Sequence, residues 1–598
     1  MKKIKYYILP VIVSALCLQS CSDLTEKTYS NVDASIYYQN EKSVKGAIAS
    51  IYKTGFMSYV EYFWYLAEFP SDQITWRCWN GGLWGYDEGA KYVLGIQNWS
   101  SSSVIIGQTW NTAWQTIGLC NQTIYDLQNL NPANLNITQQ TLNKYIAEIR
   151  TLRAWAYYNI FEVWGGALPL VVGLSTDIPP SADPDFDTGC KKIYNFLIQE
   201  LDETVNDLPV NEVSRMNQAV NRMIKARLLF NAQVFIKEDH YAECANICSD
   251  IIANKYGTYS IAKDYRNIYS VDNYTCPEVI MAFAAQYGQI DCGWMRNMPF
   301  LPYNYNEYVN GAYQGVSGWN CVCLVPSFDN SGTINSYGGT SNPKSFLSDP
   351  YNDKLGAVWA RLDDRDIRKQ VYKYDYTTGK VNGMFLLGPM KANFGTGDPL
   401  KADADRPNQD LVYVDQVGTF LNKGRNLEAV MSPRWGETNS GIRMIKYPIL
   451  PTAAGTDFRN AGEVEFRLAE VYFMLAECKM RSGDANGAKD LVNAVRYRYF
   501  STADWATAKD QPGPGFTAFD SNWMLSQWGL EFLGEGRRRR TDLRRYDKFT
   551  QGQWWFHGRT SDDGVPLPAK RDRKFEWYPL PQEALLVNPG LVQNPNYK

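Results

Sequence analysis

The chain has 598 residues, with 60 Lys and Arg against 63 Asp and Glu, and its only histidines are His240 and His557. A formal charge of −3 leaves no broad basic footprint for nucleic acid, and two histidines leave little for a histidine-based triad or a His-rich metal site. Aromatic residues make up 14% of the chain, with 19 Trp and 40 Tyr, so its surplus is flat, amphipathic ring surface suited to binding.

Lys2, Lys3 and Lys5 precede an apolar run from Tyr6 to Leu18 that is too short to span a bilayer. Residues 1–20 therefore have the layout of a secretory signal peptide, and losing their three lysines takes the formal charge from −3 to −6. Leu18-Gln19-Ser20-Cys21 resembles a bacterial lipobox, with Gln19 where a small residue is usual. Cys21 is the expected lipid-attachment site; Cys17 follows Leu16, which is too bulky for the cleavage. Several acyl chains on Cys21 would hold the protein at a membrane, and no later stretch is apolar enough to cross one. The other ten cysteines do not read as a disulfide framework in so long a chain. Buried free thiols are expected, with a close disulfide pair as the alternative; Cys244 and Cys248 sit four apart on a helix, and Cys321 and Cys323 share one strand face.

Asp72–Ser103 reads as a polar insertion that gathers Trp76, Trp79, Trp84 and Trp99. The spacing predicts a helix over Gln108–Leu130, with Trp110, Trp114, Ile117, Asn121, Ile124 and Leu127 on successive turns. A second follows over Tyr145–Val163, where Ile149, Leu152, Ala156, Ile160 and Val163 recur at three- and four-residue intervals. Gly165-Gly166 ends it and Pro169 prevents its resumption. Further helices are expected over Lys191–Leu208, Asn217–Ile236 and Tyr241–Ala253.

From about Ser260 to Gly462 the helical signal fails, and only short strand-like runs such as Val279–Ala284 and Asn320–Val325 interrupt a Tyr-, Asn-, Gly- and Pro-rich stretch. An irregular segment this long is uncommon unless it is itself folded or functional, so it reads as a second lobe. The helical pattern returns at Glu463–Met480, with Leu468, Val471, Leu475 and Cys478 as its buried stripe. Gly483 closes that helix, and Asp484 caps the next, which carries Ala488, Leu491, Val492 and Val495. Such a pair resembles a tetratricopeptide unit, which must stack on others to bury a core. The expected fold is mainly α: tetratricopeptide-like stacked helix pairs over 21–259 and 463–598 form a scaffold. A large irregular, loop-rich ligand-binding lobe with short strands occupies 260–462.

Five stretches resemble a known family. Glu148-Ile-Arg150-Thr-Leu-Arg153-Ala154-Trp-Ala-Tyr157-Tyr158, followed by Gly165-Gly166-Ala-Leu-Pro169, is similar to the signature helix and turn of SusD-like (SusD/RagB) lipoproteins. Asp364-Arg365-Asp366-Ile-Arg368 is similar to that family's charged element, and Arg467-Leu-Ala469-Glu470 through Ala476-Glu477 to its RxAExxLxxAE helix. Gly529-Leu-Glu531 through Glu535-Gly536-Arg537 to Asp542-Leu543-Arg544-Arg545 resembles its acidic-basic block, with Tyr546 where tryptophan is common. Tyr578-Pro579-Leu580-Pro581 and Asn588-Pro589-Gly590 through Gln593-Asn594-Pro595-Asn596-Tyr597 resemble its closing run, with Asn596 in place of glycine.

These motifs read as scaffold. Glu535 and Arg539, and Arg538 and Asp542, are one helical turn apart and are expected to pair along a helix. Arg537–Arg540 is then a paired structural face and no nucleic-acid patch. Glu470 and Glu477, two turns apart, are expected to meet arginines such as Arg467 or Arg481 and not to act as paired catalytic carboxylates.

The resemblance implies a surface-exposed, lipid-anchored outer-membrane protein that binds nutrients, usually glycans. It would sit over a TonB-dependent transporter of the SusC type and hand it oligosaccharide. It implies no enzymatic activity and no cofactor; no P-loop or dinucleotide fingerprint is present. No metal is expected, since Asp403 and Asp405 lack the ordered spacing of a calcium loop. Sugar rings stack their C–H faces on indole and phenol rings while Asn, Gln and Asp take the hydroxyls. The ligand-binding candidates, chosen from the aromatic-rich loops of this sequence, are Trp76, Trp79, Trp84, Trp294, Tyr303, Tyr305 and Trp319. Trp110, Trp114, Trp155 and Trp164 lie on helical stripes and are assigned to the core. Two other readings belong to different classes. One is a helical-repeat surface lipoprotein that binds peptide or protein, and the other is a surface hydrolase with paired carboxylates.

Overall fold

Several helix starts in this chain are set by short polar side chains. Asn40 and Ser43 form a reciprocal capping box at α1 (Glu41–Ser58), and Thr138, Asp185 and Asn217 each accept a backbone N–H at the start of a later helix. In the computed structural model the described residues are 34–80, 82–174, 178–286, 289, 297–309, 318–328, 333–334, 340–341, 345–347, 355–402, 405–418, 432–451, 458–536, 538–553 and 570–597. Cys21, the signal segment, Trp294, Asp403 and Arg537 lie outside them.

The helices α2 (Val104–Gln128), α3 (Gln139–Trp164), α4 (Phe186–Thr204), α5 (Gln218–Phe230) and α6 (Tyr241–Ile252) follow α1. Each packs on the next. α6 then packs on α7 (Leu468–Arg481), far along the chain, and α7 on α8 (Ala485–Arg496). Asp484 caps α8 by accepting from the Gly487 amide at 2.8 Å. Helix pairs that bury little alone thus share one continuous core, to which Trp110, Trp155 and Trp164 belong. The mainly helical class with short strands is the one the sequence predicts.

The turn after α3 depends on two glycines. Gly165 sits at φ 57°, and a Cβ on Gly166 would lie 1.9 Å from the Phe186 carbonyl oxygen. At Gly189 a Cβ would meet the Gly166 oxygen at 2.4 Å, so backbone rests on backbone where α4 crosses the end of α3. Gly166→Ala is expected to destabilise the protein by about 3 kcal/mol, read from urea unfolding; an unchanged midpoint would mean the crossing opens freely.

Glu463–Arg467 departs from the predicted helix. It forms a strand antiparallel to Val279–Phe283, with Glu463 opposite Phe283 and Arg467 opposite Val279, and α7 begins only at Leu468. All five residues are buried, and the alternation of charged and apolar side chains is the period of a strand. Ile74–Trp76 pairs antiparallel with Val322–Leu324, and Arg443–Met444 with Phe385–Leu386. The lobe has its own core around Leu301, Tyr308, Tyr372, Phe394 and Tyr413.

Most of the charged motif groups pair between elements, and two pairs each run along one helix. Glu535 precedes the last helix of this block, Arg539–Arg545, in a turn with Gly534 at φ 68° and Gly536 at φ 77°. Its carboxylate takes Arg467 at 2.7 Å and Lys446 at 2.8 Å. Arg539 reaches Asp72 at 2.7 Å, Arg538 reaches Glu470 at 2.7 Å, and Asp542 pairs with Arg545 at 2.9 Å. Glu470 also holds Arg227, and Glu477 holds Arg481 and Arg545, so the arginine expectation is met for Glu477 by Arg481 and for Glu470 by other partners. The nine described cysteines are buried free thiols; Cys244 and Cys248 keep their sulfurs 3.9 Å apart, too far for a disulfide. Among the described residues no helix is long and apolar enough to cross a membrane.

Candidate ligand groove

The insertion builds its site around a tight reversal. Trp79 and Trp84 exchange backbone hydrogen bonds at 3.1 and 3.2 Å, and the turn between them uses Asn80 at φ 51° and Gly82 at φ 83°. The Asn80 amide donates to Asp405 Oδ2 at 3.2 Å, and Arg434 donates to the Gly82 carbonyl at 2.7 Å while lying over the Tyr86 ring. Asp405 also accepts from the Thr438 amide and hydroxyl, and burial pushes its carboxyl above the usual range. A Cβ on Gly82 would meet the Trp435 ring at 2.7 Å, so the turn is clamped against the lobe.

Strand pairing brings the second set of rings to the first. Trp76 lies opposite Val322, which places Gly318 to Cys321 beside the reversal, and Trp319 meets Trp76 edge-on with centroids 6.3 Å apart. Trp79 is nearly parallel to Trp84 on one side, at 5.9 Å and 24°, and to Tyr303 on the other, at 6.1 Å and 17°. Together Trp76, Trp79, Trp84, Tyr303 and Trp319 line a groove of about 710 Å³. Five of the seven predicted positions therefore converge.

Their roles differ. Trp84 is 57% exposed and offers an open face, whereas Trp79, 7% exposed, is held between its neighbours. Trp76 is 2% exposed; its indole N–H donates to the Gly85 carbonyl at 2.6 Å, and Lys91 lies 4.6 Å from its ring centroid. Trp76 is thus a wall of the groove more than a platform. Tyr303 donates to the Lys401 carbonyl at 3.1 Å, fixing its ring. Tyr305 is a correction: it is 1% exposed and packs into the lobe core with Leu301 and Tyr308, because the short helix Tyr305–Tyr308 turns it inward. Trp294 lies outside the described residues.

Sequence reasoning missed the charged lining, Glu61, Asp87 and Lys91. Asp87 and Lys91 are four apart and pair at 3.0 Å, a spacing visible in the chain. Glu61 lies in a π-helical turn, Tyr59–Phe63, that no periodicity marks. A second cavity of about 340 Å³ lies between α1 and Phe283. Its buried Glu148 already holds Tyr52 and Arg215, and its lining is otherwise largely hydrocarbon, so it offers less to a hydroxyl-rich ligand.

Residues 277–597, more than half of the chain, match the family model described as the SusD family. The chain belongs to the SusD family. Residues 90–234 match a second model, described as starch-binding associating with outer membrane. The starch-binding protein SusD of Bacteroides thetaiotaomicron is 22% identical over 550 residues, covering 89% of this chain and 84% of that one. Among solved structures, surface glycan-binding protein A from Bacteroides fluxus superposes with a TM-score of 0.60 at 18% identity, over 93% of this chain and all of that one. Surface glycan-binding protein A from Bacteroides thetaiotaomicron, in complex with laminarihexaose, gives 0.59 at 15% identity over 93% and 99%. At these identities the structural likeness establishes the SusD fold.

Proposed function

We propose that this protein captures glycan chains at the cell surface and passes them to a TonB-dependent outer-membrane transporter of the SusC type, while acyl chains on Cys21 hold it at the membrane. The observation that carries this reading is the convergence of Trp76, Trp79, Trp84, Tyr303 and Trp319 on one groove in a SusD-family fold. The names of the relatives support it, one a starch-binding protein and one a surface protein solved with laminarihexaose. In this reading the insertion 72–103 and the lobe 260–462 carry the ligand, and the helical array is the frame that presents them. The protein breaks no bond; transport energy comes from the partner.

Affinity gel electrophoresis of the soluble protein, starting after Cys21, against a panel of polysaccharides tests this. Retardation by one glycan class without shortening of the glycan is expected. Trp84→Ala should weaken that binding about tenfold through loss of ring stacking, and should leave the unfolding midpoint unchanged because the ring is largely exposed. Retardation by no glycan would refute capture, and an unaltered Trp84→Ala affinity would remove the groove.

A further inference from the structure

The charged groups of the groove go beyond its rings in saying what it accepts. Among the described residues lining it, these groups are Glu61, Asp87 and Lys91. Lys91 is already committed: its ammonium is 3.0 Å from Asp87, stands over Trp76, and belongs to a side chain only 17% exposed. Glu61 accepts a hydrogen bond from the Tyr65 hydroxyl at 2.8 Å, and no basic side chain among the described residues pairs with it. The described lining therefore carries one net negative charge beside low-dielectric ring walls, where like charges repel more strongly than in water.

A sugar hydroxyl answers these carboxylates, since it can donate to Glu61 and Asp87. A carboxylate or sulfate ester on the chain can only accept, meets like charge, and must leave water without gaining a free cation. From this we infer that the groove takes uncharged glycans and rejects polyanionic ones such as uronates and sulfated chains. The inference rests on the capture reading above and names its substrate class.

The test compares chains that differ only in charge: laminarin with carboxymethyl laminarin, and starch with carboxymethyl starch, beside polygalacturonate, each by affinity gel. Wild-type protein is expected to bind the neutral member of whichever pair it retains at least tenfold more tightly. Added NaCl should narrow the gap by screening. The double variant Glu61→Gln/Asp87→Asn, with Lys91 as the remaining charge, should bring the charged member to within about threefold or reverse the order. Thermal unfolding checks that this variant is folded. Equal or tighter binding of a charged member by the wild type, or retention of polygalacturonate alone, overturns the selectivity and leaves capture standing. A preference unmoved in the folded double variant also overturns it, because the carboxylates would not be its source. Retention of no polysaccharide at all refutes capture itself and the selectivity with it.

Discussion

Arg467→Met is expected to destabilise the protein by about 3–5 kcal/mol, measured by urea unfolding with tryptophan fluorescence. Arg467 is 2% exposed, and its guanidinium serves three carboxylates. It donates to Glu278 at 3.0 Å, to Glu531 at 2.8 Å, and to both oxygens of Glu535 at 2.7 and 2.8 Å. A further bond goes to the Glu531 carbonyl at 3.0 Å, and the Phe532 ring lies 4.2 Å away. Methionine fills the volume but leaves three buried acids short of a cation. Glu278 and Glu531 would fall back on Arg498, and Glu535 on Lys446. Removing one member of a buried ionic network costs far more than the network is worth as a whole, because the remaining charges lose their compensation. Arg467→Lys should fall between, since it restores a charge without the planar fork that reaches several acids at once. A loss below 1 kcal/mol for Arg467→Met would show that water or the neighbours compensate fully.

That network was invisible to short-range reasoning. Arg467 and Glu278 are 189 residues apart, and Arg539 and Asp72 are 467. A rule about charges four apart describes one helix, and it holds here for Arg481 with Glu477; Lys91 and Asp87 pair at the same spacing across a turn. It fails for Glu535 because two glycines at positive φ break the chain before any helix can align the pair. The helices themselves are legible from the three- and four-residue recurrence of their apolar positions: α2 and α6 bury one face, and α3, buried on nearly every side after Ala147, is bounded by Thr138 and Gly165. Glu463–Arg467 is not separable from α7 in the sequence because its alternation runs straight into that helix's stripe, and only pairing with Val279–Phe283 divides the two.

The groove was half legible. Aromatic density in irregular segments pointed to Trp76, Trp79, Trp84, Tyr303 and Trp319, and the pairing of Trp76 with Val322 explains why two distant segments meet. Tyr305 departs from the expectation because the lobe is more than loops around a site. It has a core of its own, and Leu301, Tyr305 and Tyr308 recur at four and three residues, which is the spacing of a buried helical face. Whether a ring faces a ligand or a core depends on what covers it, and that information is not local in the chain. The charged lining was hidden for the same reason: Glu61 belongs to a scaffold turn that only the fold carries to the insertion.

Acid is expected to unfold the protein through the buried carboxylates. Burial by itself would raise Glu470, but Arg227 and Arg538 outweigh it and hold the carboxyl at about 2, against an ordinary 4.5. Glu477, Glu531, Glu535 and Asp72 are likewise held low by their arginines, with Lys446 adding to the effect at Glu535, against the same burial. A group whose folded pKa lies below its unfolded one binds fewer protons in the native state. Its contribution is complete above the unfolded pKa and is lost as pH falls through the folded one. For Glu470 that contribution is about 3 kcal/mol, lost between pH 4.5 and 2. Asp405, Asp415 and Asp542 work in the opposite direction, since burial raises them and protonation relieves it. They are fewer, and Asp415 at about 6 has largely gained its proton before the others begin. Urea midpoints should therefore hold near neutral pH and fall steeply below about 4.5. The drop should be shallower in Glu470→Gln, which has no proton to take up at that position. A midpoint that stayed flat from pH 7 to pH 3 would mean that these acids are not charged in the native state, and would remove the basis for the Arg467→Met prediction as well.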